Sequence, residues 1–121
     1  MKILAIGDVV GPAGCEFIRR RLPAFKSEHE VDLCIVNGEN SAQGNGILPA
    51  SAGHLLASGA DVITTGNHAF KRWEAADYFA SHEYVLRPAN YPDVVAGNGY
   101  YIYDAGRARV CVVSLLGTVY M

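Results

Sequence analysis

The chain has little net charge, no closely spaced cysteines, no long apolar run and no low-complexity segment. Each absence removes a class of function. A formal net charge of −2 excludes a surface built to coat nucleic acid or to lie on an anionic membrane. It leaves room for a nucleotide-sized ligand held through a metal. Cys15, Cys34 and Cys111 lie far apart, and none forms a C-x-x-C pair, so neither a zinc knuckle nor a redox motif is indicated. Reduced, buried thiols of a cytoplasmic protein are the expectation. No stretch approaches the roughly 20 apolar residues of a membrane span. The opening "MKILAIGDVV" is interrupted by Asp8 and is followed by no small-residue cleavage site, which argues against a signal peptide.

Half of the 121 residues are hydrophobic, enough for the core of one ordinary domain. "KILAIGD" (2–8) is a short apolar run that suits a strand buried on both faces. Residues 11–30 turn helical. Pro12 suits the first turn, and Phe17, Ile18, Leu22 and Phe25 recur at spacings that one side of a helix can gather. Pro23 should kink or restart that helix. "VDLCIVNGEN" (31–40) is a second buried strand, and the glycine-rich "SAQGNGILPA" follows it as a loop. A helix over about 49–58 leads to a third strand at 61–65. Residues 71–82 are helical, with Trp73, Ala76 and Phe79 or Ala80 inward. "YVLRPANYP" (84–92) is a short strand and a proline-locked loop, and 99–117 is a hairpin around "DAGRA". Strands alternating with helices predict an α/β fold with a mostly parallel sheet, flanking helices and a C-terminal antiparallel hairpin.

Parallel strands point their carboxyl ends to one edge, where ligands of open α/β sheets gather. The three ends carry "GDVVG", "NGEN" and "GNH", spaced by about one βαβ unit of roughly 30 residues. Asp8, Glu39, Asn40, Asn67 and His68 should therefore converge. Two carboxylates, two amides and an imidazole without a thiol suit Mn, Fe or Mg, or Zn if more histidines join. Close carboxylates also repel unless a cation separates them. Two divalent ions would bring about +4. Asp8, Glu39 and a bridging hydroxide would reduce that to about +1, a charge that attracts a phosphodiester monoanion.

Taken singly, each motif has a structural alternative. Asp8 would equally cap the next helix, "NGEN" would serve as a polar turn, and Asn67 would cap a helix starting near Phe70. A lone His68 is often just a hydrogen-bonded structural residue. Gly7, Gly11 and Gly14 do not have dinucleotide-loop spacing. His29, His54 and His82 read as surface or packing residues. The joint case rests on three independent strands ending in ligand-type residues at one edge.

"GDVVG", "NGEN", "AQGNGI", "ITTGNH" and "LRPANYP", in this order and spacing, resemble the bacterial YmdB-type metallophosphoesterases of the calcineurin-like dinuclear family. The resemblance runs from Met1 through "VSLLGTVYM". It implies a single metallophosphoesterase domain over 1–121 and half of a four-layer α/β/β/α sandwich. It also implies two metal ions, with Fe or Mn ahead of Mg or Zn. Asp8 then resembles a ligand of the first metal, Glu39 the bridging carboxylate and Asn67 a ligand of the second. His68 resembles a general acid, a role that suits imidazole as a side-chain type. Asn40 is placed at the phosphate or the metal. The implied activity is phosphodiester hydrolysis by a dinuclear metal-hydroxide mechanism, with 2′,3′-cyclic nucleotides as substrates.

Two departures matter. Asp8-Val9-Val10 replaces the Asp-x-His of the broader superfamily, and no histidine follows His82. Family members are about twice as long, and their second half supplies further histidine ligands and a second sheet. The expectation is a domain truncated on its C-terminal side, with an apolar sheet face that drives homo-oligomerisation. The alternative function is a catalytically incomplete fragment acting as an assembly or binding module.

Overall fold

A three-stranded parallel sheet organises the chain. The computed structural model describes residues 1–119; Tyr120 and Met121, which end the "VSLLGTVYM" run, lie outside the described residues. The element order is β1 (Ile3–Ile6), α1 (Gly11–His29), β2 (Leu33–Asn37), α2 (Pro49–Ser58), β3 (Val62–Thr64), α3 (Ala75–Ser81), β4 (Tyr100–Asp104) and β5 (Arg109–Val113). The sheet order is β1-β2-β3, and β4 and β5 form a separate antiparallel hairpin. The α/β architecture is the expected one.

The β-branched run "LCIVN" makes β2 the central strand, with Leu33, Cys34 and Val36 fully buried. It pairs Ile6 with Val36 on one side and Asn37 with Thr64 on the other, so all three carboxyl ends finish together. β1 differs from expectation. It lies at the sheet edge, and its residues alternate between exposed and half-buried, because Leu4 and Ile6 pack against the main core while Ile3 and Ala5 point to the opposite, open face.

The main core packs α1 and α2 on this sheet through Ile18, Leu22, Ala52 and Leu55, with Phe79 of α3 and Val85. A polar tie fixes the same corner. Asp61 Oδ2 accepts from the Cys34 amide at 2.8 Å and from Lys26 Nζ at 3.1 Å, while Lys26 also donates to the Gly59 carbonyl at 2.7 Å. One carboxylate thus joins α1, β2 and the start of β3. A smaller cluster of Leu33, Val62, Leu86 and Val112 seats the hairpin against the sheet.

Several local expectations change. α1 runs through Pro23 as one helix. The lost backbone bond costs about 3 kcal/mol, which packing offsets, since Ile18 before Pro23 and Leu22 beside it are both anchored in the core. Phe17 and Phe25 are 62% and 42% exposed, because the helix buries only its Cys15–Ile18–Leu22 stripe. The predicted helix at 71–82 begins only at Ala75. Trp73, in the turns before it, is 81% exposed; Phe79 alone of the expected inward set is fully buried. The fourth strand reduces to single parallel bridges, Ile63 to Val85 and Leu86 to Asn98.

The thiols also divide. Cys15 and Cys34 are buried and Cys111 is exposed. Burial raises the Cys15 thiol and pushes that of Cys34 up to about 11. Ellman's reagent at pH 8 should therefore label one thiol per native chain promptly and the other two only on unfolding. Three equally fast thiols would contradict this packing.

Candidate functional site

The common finish of β1, β2 and β3 sets three loops side by side, and backbone bonds stitch them. Val9 N donates to the Asn37 carbonyl at 3.1 Å, Gly11 N to the Asn40 carbonyl at 2.9 Å, and Gly38 N to the Thr64 carbonyl at 3.0 Å. Gly38 keeps this junction tight. A Cβ there would lie 3.1 Å from the Ile63 side chain and 3.2 Å from that of Leu55, so both would have to give by a few tenths of an ångström.

Four of the five expected side chains touch directly or nearly so. Asn40 Nδ2 donates to Asp8 Oδ1 at 2.8 Å. Asn40 Oδ1 stands 2.5 Å from His68 Nδ1. Since the amide nitrogen is committed to a carboxylate, the amide oxygen must accept, and Nδ1 of His68 carries the proton. Glu39 closes the set: its Oε2 accepts from the His68 amide at 3.1 Å and lies 4.0 Å from Nδ1. Asn67 stands apart. It is exposed, and its side chain makes no hydrogen bond among the described residues. Asp8 caps no helix, because Val10 occupies the N-cap of α1. Asn67 caps none either, because residues 67–70 form a turn and the next helix starts only at Ala75.

Glu39 is more enclosed than the exposed Asp8, with its side chain 16% exposed. Asn37 Nδ2 donates to its Oε1 at 3.2 Å. Gly66 forms its floor, where a Cβ would come within 2.6 Å of Oε1 and 3.0 Å of Oε2. A carboxylate seated on bare backbone, with amides around it and a second carboxylate reached through Asn40, is an oxygen-rich donor set of the kind hard cations take. The donors fit such an ion in type. In number they form one side of a coordination sphere, since among the described residues no three His, Cys, Asp or Glu side chains cluster closely enough to hold a metal ion.

Sequence reasoning missed three supporting groups. Asn37 sits inside the "NGEN" motif and was visible there in principle. Gly66 was visible only as the glycine before the Asn67–His68 pair. Arg72 gave no local signal. Its guanidinium donates to the carbonyls of Gln43 and, at 3.1 Å, Asn45. It thereby ties the glycine-rich loop after Asn40 to the segment after His68. Two of the three remaining histidines pack on aromatic rings: His29 lies against Phe25, with ring centroids 4.2 Å apart, and His82 stacks on Tyr78 at 3.7 Å. No helix among the described residues is long and apolar enough to cross a membrane.

The YmdB-like protein family matches residues 4–121. The 2′,3′-cyclic-nucleotide 2′-phosphodiesterase of Bacillus subtilis (strain 168) is 36% identical over 121 residues, covering 100% of this chain and 46% of that protein. A hypothetical protein from Thermus thermophilus superposes with a TM-score of 0.92 at 34% identity, covering 100% of this chain and 47% of its own. A novel phosphatase from Mycoplasma pneumoniae superposes with a TM-score of 0.86 at 32% identity, covering 98% and 43%. The chain therefore spans under half the length of these relatives.

Replacing Asn40 by Ala should release His68 from its fixed tautomer. Imidazole ¹⁵N spectra should show neutral His68 with Nδ1 protonated in the wild type, and a shift toward Nε2 protonation in Asn40→Ala. Identical spectra would mean that Asn40 does not set the tautomer.

Proposed function

The chain belongs to the YmdB-like protein family, and on that premise we propose that it carries the catalytic edge of a metal-dependent phosphodiesterase acting on 2′,3′-cyclic nucleotides. The observation that carries the reading is the contact chain Asp8–Asn40–His68, with Glu39 against the same imidazole. It brings two carboxylates, an amide and a proton donor to one sheet edge. The printed activity of the Bacillus subtilis relative supports the substrate class.

Asp8, Glu39 and Asn67 would hold the metal ions, with Fe or Mn preferred by this oxygen-rich, thiol-free set. When bound, such ions supply an activated water nucleophile and offset phosphoryl charge. The residues of the chain do the rest. Glu39 is held in place by Asn37, Gly66 and the His68 amide. With Nδ1 of His68 committed to Asn40, Nε2 is the nitrogen left to protonate the leaving oxygen, which it does from the imidazolium form. Asn40 orients that ring and steadies Asp8.

Homo-oligomerisation belongs to the same proposal. It is supported by the exposed outer face of the hairpin, where Tyr100, Ile102 and Val113 lie about half or more open to solvent. Sedimentation velocity should show species heavier than one chain, and a monomer at all concentrations would remove this part.

The chain with Mn²⁺ should hydrolyse bis-p-nitrophenyl phosphate, and Asp8→Asn or Glu39→Gln should abolish turnover. His68→Ala should retain metal by calorimetry while kcat falls by about 10²–10⁴. Folded, metal-loaded chain without turnover would sink the activity of this chain. Loss of metal in His68→Ala would reassign His68 as a ligand.

A further inference from the structure

A cavity of about 470 Å³ opens between the first turns of α1 and α2 and the loop after β2. It lies outside the site just described but shares its rim. Ser41, which follows Asn40 directly, and Pro12, one turn of chain beyond Asp8, both line it. Its volume falls within the range of small-ligand pockets.

Its chemistry is specific. Pro12, Leu48 and Ala50 provide apolar walls suited to the face of a flat ring. Glu16, Gln43 and His54 provide polar edges. His54 lines the cavity with part of its ring, while its Nε2 is buried and has no hydrogen-bond partner among the described residues. Glu16 accepts two bonds from the Arg19 guanidinium, at 2.8 and 2.5 Å. That pairing, opposed in part by desolvation, holds its carboxyl below the usual carboxylate range. Among the described residues no lysine or arginine lines the cavity, so nothing there is built to hold a second phosphate, whereas apolar walls with polar edges suit a neutral ring. The rim is also braced. Arg72 grips the Gln43 and Asn45 carbonyls from outside, and Ser51 Oγ accepts from the Leu48 amide at 3.1 Å.

We infer that this cavity is a nucleobase subsite: it takes the base of a nucleoside whose phosphate reaches the Asp8–Asn40–His68 edge. The inference rests on the phosphodiesterase reading for the second half of that sentence, but base binding itself needs neither metal nor turnover.

The test is titration of the chain with cytidine and, separately, with inorganic phosphate, followed through ¹H–¹⁵N amide shifts. Cytidine should move the amides of Ala42, Gln43, Ala50 and Ser51 saturably, and inorganic phosphate should leave them in place. Ala50→Phe, which fills the groove from an exposed helix position, should raise the cytidine Kd about tenfold. His54→Leu should also weaken binding, and serves should Ala50→Phe fail to fold. Unmoved amides with folded chain, equal shifts from phosphate, or unchanged affinity in the folded variants would overturn the subsite. Bis-p-nitrophenyl phosphate contains no base, so its turnover by the wild type tests the phosphodiesterase reading alone.

Discussion

The parallel register of β2 with its two neighbours is the constraint on which everything else depends. Ile6 opposite Val36 and Asn37 opposite Thr64 bring three strand ends to one line. Because side chains alternate along a strand, a slip of one residue would exchange the two buried faces of β2, taking Cys34 and Val36 out of the main core and Leu33 out of the smaller cluster. It would also carry Glu39 away from the Gly66 floor and from the His68 amide. The register is held by the fully buried Leu33, Cys34 and Val36, and by Asp61 bonded to the Cys34 amide and to Lys26.

Around that frame the site is assembled from backbone as much as from side chains. Glycine acts twice through the absence of a Cβ: Gly38 lets β2 leave the sheet against Ile63 and Leu55, and Gly66 lets the Glu39 carboxylate rest on the next strand's loop. The loop beyond Asn40 turns through three consecutive positive-φ residues, Gly44, Asn45 and Gly46. Only glycine, and less readily asparagine, adopts that backbone cheaply. Arg72 then holds the turn by its carbonyls. The rigid sheet supplies position and the loops supply chemistry, the usual division in open α/β folds.

The family match and the geometry bear on different questions. The match covers nearly the whole chain, but the chain spans under half of each relative. Geometry speaks to what these residues do among themselves. Asn40 illustrates the difference. Resemblance placed it at the phosphate or metal, whereas its amide bridges Asp8 and His68. That contact supports an orienting part in the proposed site.

Much of this was legible without coordinates. Strand ends, the approximate helices, the hairpin and the candidate residues follow from local pattern: apolar runs, β-branched residues, glycine punctuation and polar groups at predictable offsets. What local pattern could not decide was which apolar faces meet a neighbour. Phe17, Phe25 and Trp73 carry helix-like spacing yet stay exposed, and β1 reads as buried yet lies at an edge. Burial is a property of what packs opposite, and periodicity reports only one side of that contact. The pair Asn67–His68 shows the same limit. Sequence alone determined that an amide and an imidazole end the third strand. Only the tertiary structure decided that Asn40, distant in the chain, would hold the imidazole, because a hydrogen bond of that kind depends on register between strands and leaves no trace within either one.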